Sequence, residues 1–458
     1  RIVQRIGNPT LVGASTCFFL HGPAGTGKTF VYNAIANYFR SQSQIVLCVA
    51  SSGIAALLLV GGRTSHSRLK IPLQLHETST CNVTPGSALG VLLYNTALII
   101  WDEVPMQHRH CFEAVDRVLR DIRRQDTLFG GIPVIFGGDF AQIAPVIKRA
   151  DRSQIVDASI RQSYIWDETD VIHLRVNMRV RGTSSNDAHF KDWLYRMTYS
   201  PEMQNKSIPL PHYIYNTSSL NNLIERVYPM VVLSDALNSS QRLYKSAILT
   251  TRNDTADELN GKILDSMPGT ILHLFSADEA VTSPTDGVDE LFQISPEYLQ
   301  TLNPNNFPPA RLSLKVGCIV MLLRNINAEA GLCNGTRLMI KEIGSYVLKV
   351  AVLKEINSEV EQIEMIPRIT LDTMEDDYPF ILRRTQFPVK LSFAMTINKS
   401  QGQSLQYVGI DMRYPVFSHG QLYVAMSRST RVDTIYVLHP AEAIGNKVEN
   451  IVYPELLL

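Results

Sequence analysis

No two of the six cysteines, at positions 17, 48, 81, 111, 318 and 333, stand in a CxxC spacing. That argues against a zinc ribbon or a disulfide framework, and they are expected to be reduced, mostly buried thiols of an intracellular protein. An excess of one charge is missing as well. Lys plus Arg and Asp plus Glu both total 43, so the formal net charge is zero. Bulk charge therefore announces no nucleic-acid partner, and any groove for one must come from local clustering. Nothing approaches 18 consecutive apolar residues, which excludes a membrane-spanning helix. The chain opens Arg1-Ile2-Val3-Gln4, with neither Met nor a signal peptide, and is expected to be a fragment from which no targeting can be read. The composition of a disordered chain is absent too. At 458 residues, with 45% hydrophobic and 19% charged, the chain can bury a large core in two to four domains.

What is present centres on His21-Gly22-Pro23-Ala24-Gly25-Thr26-Gly27-Lys28-Thr29. An apolar run, 17–20, precedes it and reads as a buried strand; an amphipathic pattern, 30–40, follows and reads as a helix. Strand, glycine loop and helix are the context that a phosphate-binding P-loop requires. Gly22, Gly25 and Gly27 let backbone N–H groups turn inward on a polyphosphate, and the helix N-terminus adds its positive dipole end. Lys28 is expected to reach the β- and γ-phosphates, and the Thr29 hydroxyl to hold Mg²⁺.

Further strands are expected at 45–50 and 96–101, the second ending in Asp102-Glu103. Behind a P-loop, such a pair places one carboxylate, Asp102, on the metal shell and the other, Glu103, beside the attacking water as general base. After 45–50 come two clusters of small and polar residues, Ser51-Ser52-Gly53 and Gly61-Gly62-Arg63-Thr64-Ser65-His66-Ser67; either alone is an ordinary loop. Apolar residues from Phe112 to Ile122 recur at helical spacing, with Arg117, Arg120, Arg123 and Arg124 on other faces, most simply a solvated surface and secondarily a DNA-facing one. His108-Arg109-His110 is not a metal site, because adjacent side chains do not converge. A strand at 134–136 leads into Gly137-Gly138-Asp139-Phe140-Ala141-Gln142, where Gln142 is placed to orient water near a γ-phosphate.

In the second half, 171–174 reads as a strand, 201–211 and 216–222 as loops and short helices, 247–251 as a strand and 254–264 as a helix. The stretch 276–309, rich in Pro, Asn and Ser, reads as a linker or insertion edge. From 311 on, short β-rich runs at 312–316, 319–323, 337–343 and 346–353 alternate with turns, among them the hairpin signal Asn334-Gly335. They read as a small barrel inserted into a second α/β domain.

Taken together, 22–29, 50–56, Asp102-Glu103 and 137–146 resemble motifs I, Ia, II and III of superfamily 1B helicases. Leu128-Phe129-Gly130-Gly131-Ile132-Pro133, running on to Gly137-Gly138-Asp139-Phe140, is similar to the signature of the PIF (petite integration frequency) DNA helicases. Leu314-Lys315-Val316-Gly317, Met321-Leu322-Leu323-Arg324-Asn325, Gly331-Leu332-Cys333-Asn334-Gly335-Thr336-Arg337-Leu338, Ile366-Pro367-Arg368-Ile369 and Gln386-Phe387-Pro388-Val389 resemble the Helitron-like branch of that family. Motif III departs slightly, with Gln142-Ile143-Ala144-Pro145-Val146 in place of Gln-Leu-Pro-Pro-Val. The family's adenine-reading Gln has no counterpart, and Gln4 is a poor substitute.

The resemblance implies an α/β fold of two RecA-like P-loop domains with parallel sheets and an inserted Src-homology-3-like barrel (2B). The implied division is 1–172 for domain 1A, with a wedge within about 64–95, then 173–287 and 390–458 for 2A, and 288–389 for 2B. It implies arginine fingers at Arg179 and Arg428, contact of Gly22, Pro23, Ala24, Gly25, Thr26, Gly27, Lys28, Thr29, Asp102 and Gly402 with Mg·ATP, and contact of Ser52, Gly53, Thr64, His66, Thr396, Lys399, Ser400 and Gln401 with DNA. The expected activity is ATP-dependent 5′→3′ unwinding of DNA, for repair, recombination, telomere maintenance or Helitron-type transposition. The cofactors are ATP and Mg²⁺, and the partners single-stranded DNA and tailed or structured duplexes, with no membrane. A monomer acting in the nucleus or mitochondrion is expected. An ATP-switched DNA-binding scaffold and an RNA-directed motor are the alternative readings.

Overall fold

The structure, a computed structural model, describes residues 16–180, 184–281, 294–304, 306–354, 361–373, 378, 380–440 and 446–458. Gln4 and the expected 287/288 boundary lie outside them. The chain forms two compact units, one of 1–218 with 397–458 and one of 219–396. The four-segment division expected above follows the motifs rather than compactness and is taken up below as a proposal.

The first unit is built on a six-stranded sheet. Its strands are β1 (Cys17–His21), β2 (Ile45–Ala50), β3 (Arg63–Thr64), β4 (Thr96–Asp102), β5 (Val134–Gly138) and β6 (Thr169–His173), in the order β3-β2-β4-β5-β1-β6 and parallel throughout. Register brings the carboxyl ends level: His21 is opposite both Gly138 and His173, and Ala50 is opposite Asp102. The central strands are buried on both faces, which is why they read as continuous apolar runs and not as alternating ones. Helix α1 (Lys28–Ser41) covers one face with Tyr32, Ile35, Ala36 and Phe39, spaced as one helical stripe. A short helix, α2 (Gly53–Leu58), follows β2 and is capped by Ser52, whose Oγ accepts from Ala55 N at 3.2 Å. Helix α3 (Arg109–Arg123) buries Phe112, Val115, Leu119 and Ile122 with the rings of Trp101, Phe129 and Phe136. His108 is its N-cap, Nδ1 accepting from His110 N at 3.1 Å, which gives that His-Arg-His run a structural use.

Of the four arginines expected on a solvated face Arg124 is exposed, but Arg117, Arg120 and Arg123 are half-buried. Arg117 donates to Ser79 O at 3.0 and 2.6 Å, Arg120 to Asp116 and Asp126 at 2.9 and 2.6 Å, and Arg123 to Thr96 O at 3.4 Å. Periodicity gave their side of the helix, but not the carbonyls and carboxylates of neighbouring segments that meet them there. Residues 201–211 also differ from the expectation of loops. Lys206–Pro209 is a strand, antiparallel to Lys447–Asn450, a pairing across more than two hundred residues that no local pattern signals. Strands Tyr407–Asp411, Ile435–Leu438 and Tyr215–Thr217 form a parallel group in the same unit.

In the second unit, Ser246–Thr250 pairs in parallel with Ala394–Thr396 beside the helix Asn253–Ser266. An antiparallel five-stranded sheet takes Ile363–Pro367, Val347–Val352, Arg337–Ile343, Ile319–Leu322 and Val389–Leu391 in that spatial order. Ile319–Leu322 and Arg337–Ile343 do pair as Asn334-Gly335 signalled, but through a loop, 323–336, longer than a two-residue turn. The stretch expected to be a linker contains a strand, Ala277–Val281, and a helix, Pro296–Thr301; the strand pairs with Ile381–Gln386. Among the described residues no helix is long and apolar enough to cross a membrane.

Candidate nucleotide site and its surroundings

At the carboxyl edge of the parallel sheet the chain turns from β1 through the P-loop into α1. Gly25 and Gly27 take φ of +83° and +87°, a region that other residues enter only at a cost. Gly27 is the N-cap of α1 and no side chain caps the helix, so its first N–H groups point into the loop, ready for an anion. Lys28 Nζ donates to Gly22 O at 2.6 Å, curling back over the loop.

Asp102 ends β4 and is buried, and its Oδ1 accepts from Glu103 N at 2.9 Å. Glu103 has φ +54°, a left-handed conformation that costs a residue with a Cβ about 1 kcal/mol or more. Pro105 packs against Gly138, where an added Cβ would come within 2.3 Å of Pro105 Cδ, and this fixes the turn that holds Glu103. Burial, and then the neighbouring Glu103 charge, push the Asp102 carboxyl up to about 7, with Lys28 opposing. Tyr32, in α1, is raised well above its usual value, by burial first and then by the same two acids. Two buried acids held side by side are of the kind that a cation joins. The hard oxygens of Thr29 and Asp102 are of the type Mg²⁺ takes, so the residues present fit that ion.

The segment carrying Arg179 is pinned to the P-loop. Met178 N donates to Gly25 O at 2.7 Å and Asn177 Nδ2 to Ala24 O at 3.2 Å, while Asn177 Oδ1 accepts from Arg179 N at 2.9 Å. Arg179 Nη1 donates to Ser427 O at 3.0 Å. Arg428 is fully buried and donates to Val424 O, Gln403 O and Ser427 Oγ at 3.0, 3.2 and 3.1 Å. Burial, and then the like charge of Arg179, lower its guanidinium to about 9.

A buried hydrogen-bonded chain runs through the same place. Ala24 N donates to Tyr423 Oη at 3.0 Å, and Tyr423 Oη donates to Asp139 Oδ2 at 2.9 Å. Gln142 Nε2 donates to the same oxygen at 3.3 Å, and Gln401 Nε2 donates to Gln142 Oε1 at 3.4 Å. Gly420 comes so close to Ala141 and Gln142 that a Cβ there would meet Ala141 O at 2.4 Å. Tyr423, Asp139, Asn177 and Tyr32 were not singled out from sequence. Asp139 stands inside the 137–142 stretch quoted above, but the sequence does not show that Tyr423 touches it.

Of the residues expected to meet DNA, Ser52, Gly53, Thr64, His66, Lys399, Ser400 and Gln401 belong to this unit, as does Gly402; Thr396 is the last residue of the other. Ser400 and Gln401 are buried. Ser400 Oγ donates to Ile397 O at 2.7 Å, and Gln401 is engaged with Gln142. His66 is half-buried, and burial lowers its imidazole. Gly402 takes φ +78° and faces Ile54 and Ala55 of α2.

A model of the PIF1-like helicase matches residues 1–206, and one of the 2B domain of DNA helicase Pif1 matches residues 297–343, inside the barrel segment expected at 288–389. Both models describe PIF1-like helicases, and together they support that family for this chain. The matches do not separate the Helitron-like branch within it. The ATP-dependent DNA helicase PIF1 of Danio rerio is 29% identical over 423 residues, covering 92% of this chain and 58% of that protein. This PIF1-like chain thus spans less than two thirds of the length of that relative. The crystal structure of Pif1 helicase from Candida albicans aligns with a TM-score of 0.68 at 22% identity, over 100% of this chain and 96% of that one. A Bacteroides Pif1 in complex with ADP-AlF3 and ssDNA aligns with a TM-score of 0.64 at 21% identity, over 100% and 93%. The fold is the one expected: RecA-like α/β architecture with parallel sheets and a 2B domain.

Proposed function

We propose that this PIF1-like chain is the motor of an ATP-dependent DNA helicase that moves 5′→3′ along single-stranded DNA and separates duplexes. The observation that carries the reading is the chain of contacts from Ala24 through Tyr423, Asp139 and Gln142 to Gln401. It joins the phosphate loop to the segment expected to grip the nucleic-acid backbone, so a change at one is felt at the other. The two family models and the DNA helicase named in Danio rerio support it. A nuclear place of action is consistent with the same relatives, and we keep the division into 1–172, 173–287 with 390–458, and 288–389 as the division by role.

In this reading the P-loop amides and Lys28 hold the β- and γ-phosphates. Mg²⁺, held by Thr29 and Asp102, would screen charge between phosphate oxygens. Glu103 accepts the proton of the attacking water, and Gln142 orients that water. Arg179 and Arg428 face charge developing on the γ-phosphate. Both are already largely stripped of water, so no solvent shell has to be shed as that charge appears. Ser52, Gly53, Thr64, His66, Thr396, Lys399, Ser400 and Gln401 take DNA phosphates, a contact that reads no sequence and weakens with salt.

The test compares strand displacement on duplexes with a 5′ or a 3′ tail, of DNA and of RNA, at equal salt and ATP. Displacement of the 5′-tailed DNA alone is the expected result. Displacement confined to the 3′-tailed substrate overturns the polarity, and preference for RNA overturns the substrate. DNA-stimulated ATP hydrolysis without displacement favours an ATP-switched scaffold.

A further inference from the structure

Gln107 has no role in the site described above, yet it is buried at 5% exposure just beyond the acid pair. Its Oε1 accepts from Ser51 Oγ at 2.8 Å, Ser65 Oγ at 3.1 Å and Trp101 Nε1 at 3.2 Å. A carbonyl oxygen has two lone pairs, so three donors crowd it. They come from three separate segments. Ser51 follows β2, precedes the cap Ser52, and its N–H donates to Asp102 O at 3.2 Å. Ser65 lies between Thr64 and His66. Trp101 precedes Asp102 in β4. The backbone of Gln107 closes the turn that Glu103 opens, its N–H donating to Val104 O at 3.1 Å. Gln107 Nε2 is buried with no oxygen or nitrogen to bond and lies near the Cys111 thiol.

We propose that Gln107 is a positioning residue that carries DNA engagement at the Ser52–Gly53 and Thr64–His66 loops to Glu103. The inference rests on the helicase reading above. Its physical basis is the absence of slack at either end. A phosphate drawing on either loop moves Ser51 or Ser65, and with it the Gln107 amide. The turn between Glu103 and Gln107 cannot absorb the shift, because Pro105 is already against Gly138. The displacement therefore reaches Glu103, whose left-handed conformation is held by that turn and the Asp102 bond. This gives DNA a route to the catalytic base that does not pass through Tyr423, Asp139, Gln142 and Gln401.

The experiment measures ATP turnover with and without a single-stranded oligonucleotide, and the affinity for that oligonucleotide. It uses the parent, Gln107→Met, Ser65→Ala and the double variant. Met keeps the volume and removes the acceptor. In Gln107→Met the ratio of stimulated to basal turnover should fall roughly two- to thirtyfold, with basal turnover and oligonucleotide affinity near the parent's. Ser65→Ala, a milder change that guards against misfolding, should lower the ratio less, and the double variant should be no worse than Gln107→Met alone. Additive losses, a parental ratio in both single variants, or a basal turnover that falls in step with the stimulated one overturns the inference while leaving the helicase reading intact. A parent whose ATPase ignores DNA overturns both.

Discussion

Arg384 and Arg428 are both fully buried guanidinium groups, one in each compact unit, and their surroundings are opposite in kind. Arg384 faces Asp278 across an antiparallel pair and grips it with two bonds, at 2.9 and 2.7 Å. Its remaining donors go to Pro308 O, Leu299 O and Leu302 O, at 3.1, 3.0 and 3.1 Å, the last two at the carboxyl end of the helix Pro296–Thr301. Charge and hydrogen-bonding capacity are both met in place, so the group has nothing left to offer a ligand. In the first unit like stands beside like: burial and then the Glu103 charge raise Asp102, burial and then the Arg179 charge lower Arg428, and burial lowers Arg179. Burial of unbalanced charge is costly, and it persists where a ligand completes the balance. A polyanion between the arginines and a cation at the acids would supply what is lacking. The difference between a clamp and a site is thus whether the buried charges cancel without help.

The strongest way to break that contrast is to remove the unbalanced groups and find the site indifferent. Lys28→Ala should abolish hydrolysis, and Glu103→Gln should retain ATP binding while turnover falls roughly a hundred- to ten-thousandfold. Nucleotide affinity and single-turnover rates on purified variants check both, and a parental rate in Glu103→Gln removes it as the base. Next come the arginines. Arg179→Ala and Arg428→Ala should each cut turnover by roughly a thousandfold or more with little change in ATP affinity, and Lys should rescue neither, because the planar fork is lost. Arg428→Ala should also lower the melting temperature, since four bonded acceptors lose their donor. If ATP affinity falls while turnover holds, the arginines act in ground-state binding.

The P-loop, the acid pair and most strands of the first sheet were legible because each is local. A run of apolar residues, three glycines and a lysine announce themselves within twelve positions. The clamp was not. Asp278 fell inside a stretch read as a linker, and Arg384 in a stretch to which no strand was assigned; only the pairing of their strands makes them partners. The same limit hid Tyr423 from Asp139, Lys206–Pro209 from Lys447–Asn450, and the three donors from Gln107. Fingers at Arg179 and Arg428 came from family resemblance, which gives position in a motif but not the carbonyls that hold Arg428 here.

Arg384 offers the converse test. Arg384→Met leaves Asp278 buried without its partner and should cost about 3–5 kcal/mol, whereas replacing both residues with apolar ones of similar volume should cost far less. Denaturant titration checks stability, and ATPase per folded molecule should hold at the parent level. A single variant as stable as the parent would show that the clamp is not a net contributor, and the contrast with the site would lose its structural half.

His419 sharpens the contrast from a third side, as a buried titratable group kept neutral. Its Nε2 donates to Phe140 O at 2.8 Å and its Nδ1 accepts from Tyr453 N at 2.9 Å, so the ring is satisfied only in the neutral form. Burial lowers it to about 4, against opposing pulls from Phe140 O and Asp139. In the unfolded chain the imidazole takes a proton near pH 6.5, while in the folded chain it waits until about pH 4. Its contribution is therefore intact above about pH 6.5 and is lost as pH falls toward 4, by about 3 kcal/mol in all. His21 and His108, also held at about 4, add to the same slope. His419→Gln should remove about one proton from the pH dependence of unfolding across that window, since an amide can still donate to Phe140 O but cannot charge. Denaturant titrations at pH 7.5, 5.5 and 4.5 read it directly, and an unchanged slope would mean that the ring titrates normally and that the packing of His419 between Phe140 and Tyr453 opens before it is protonated.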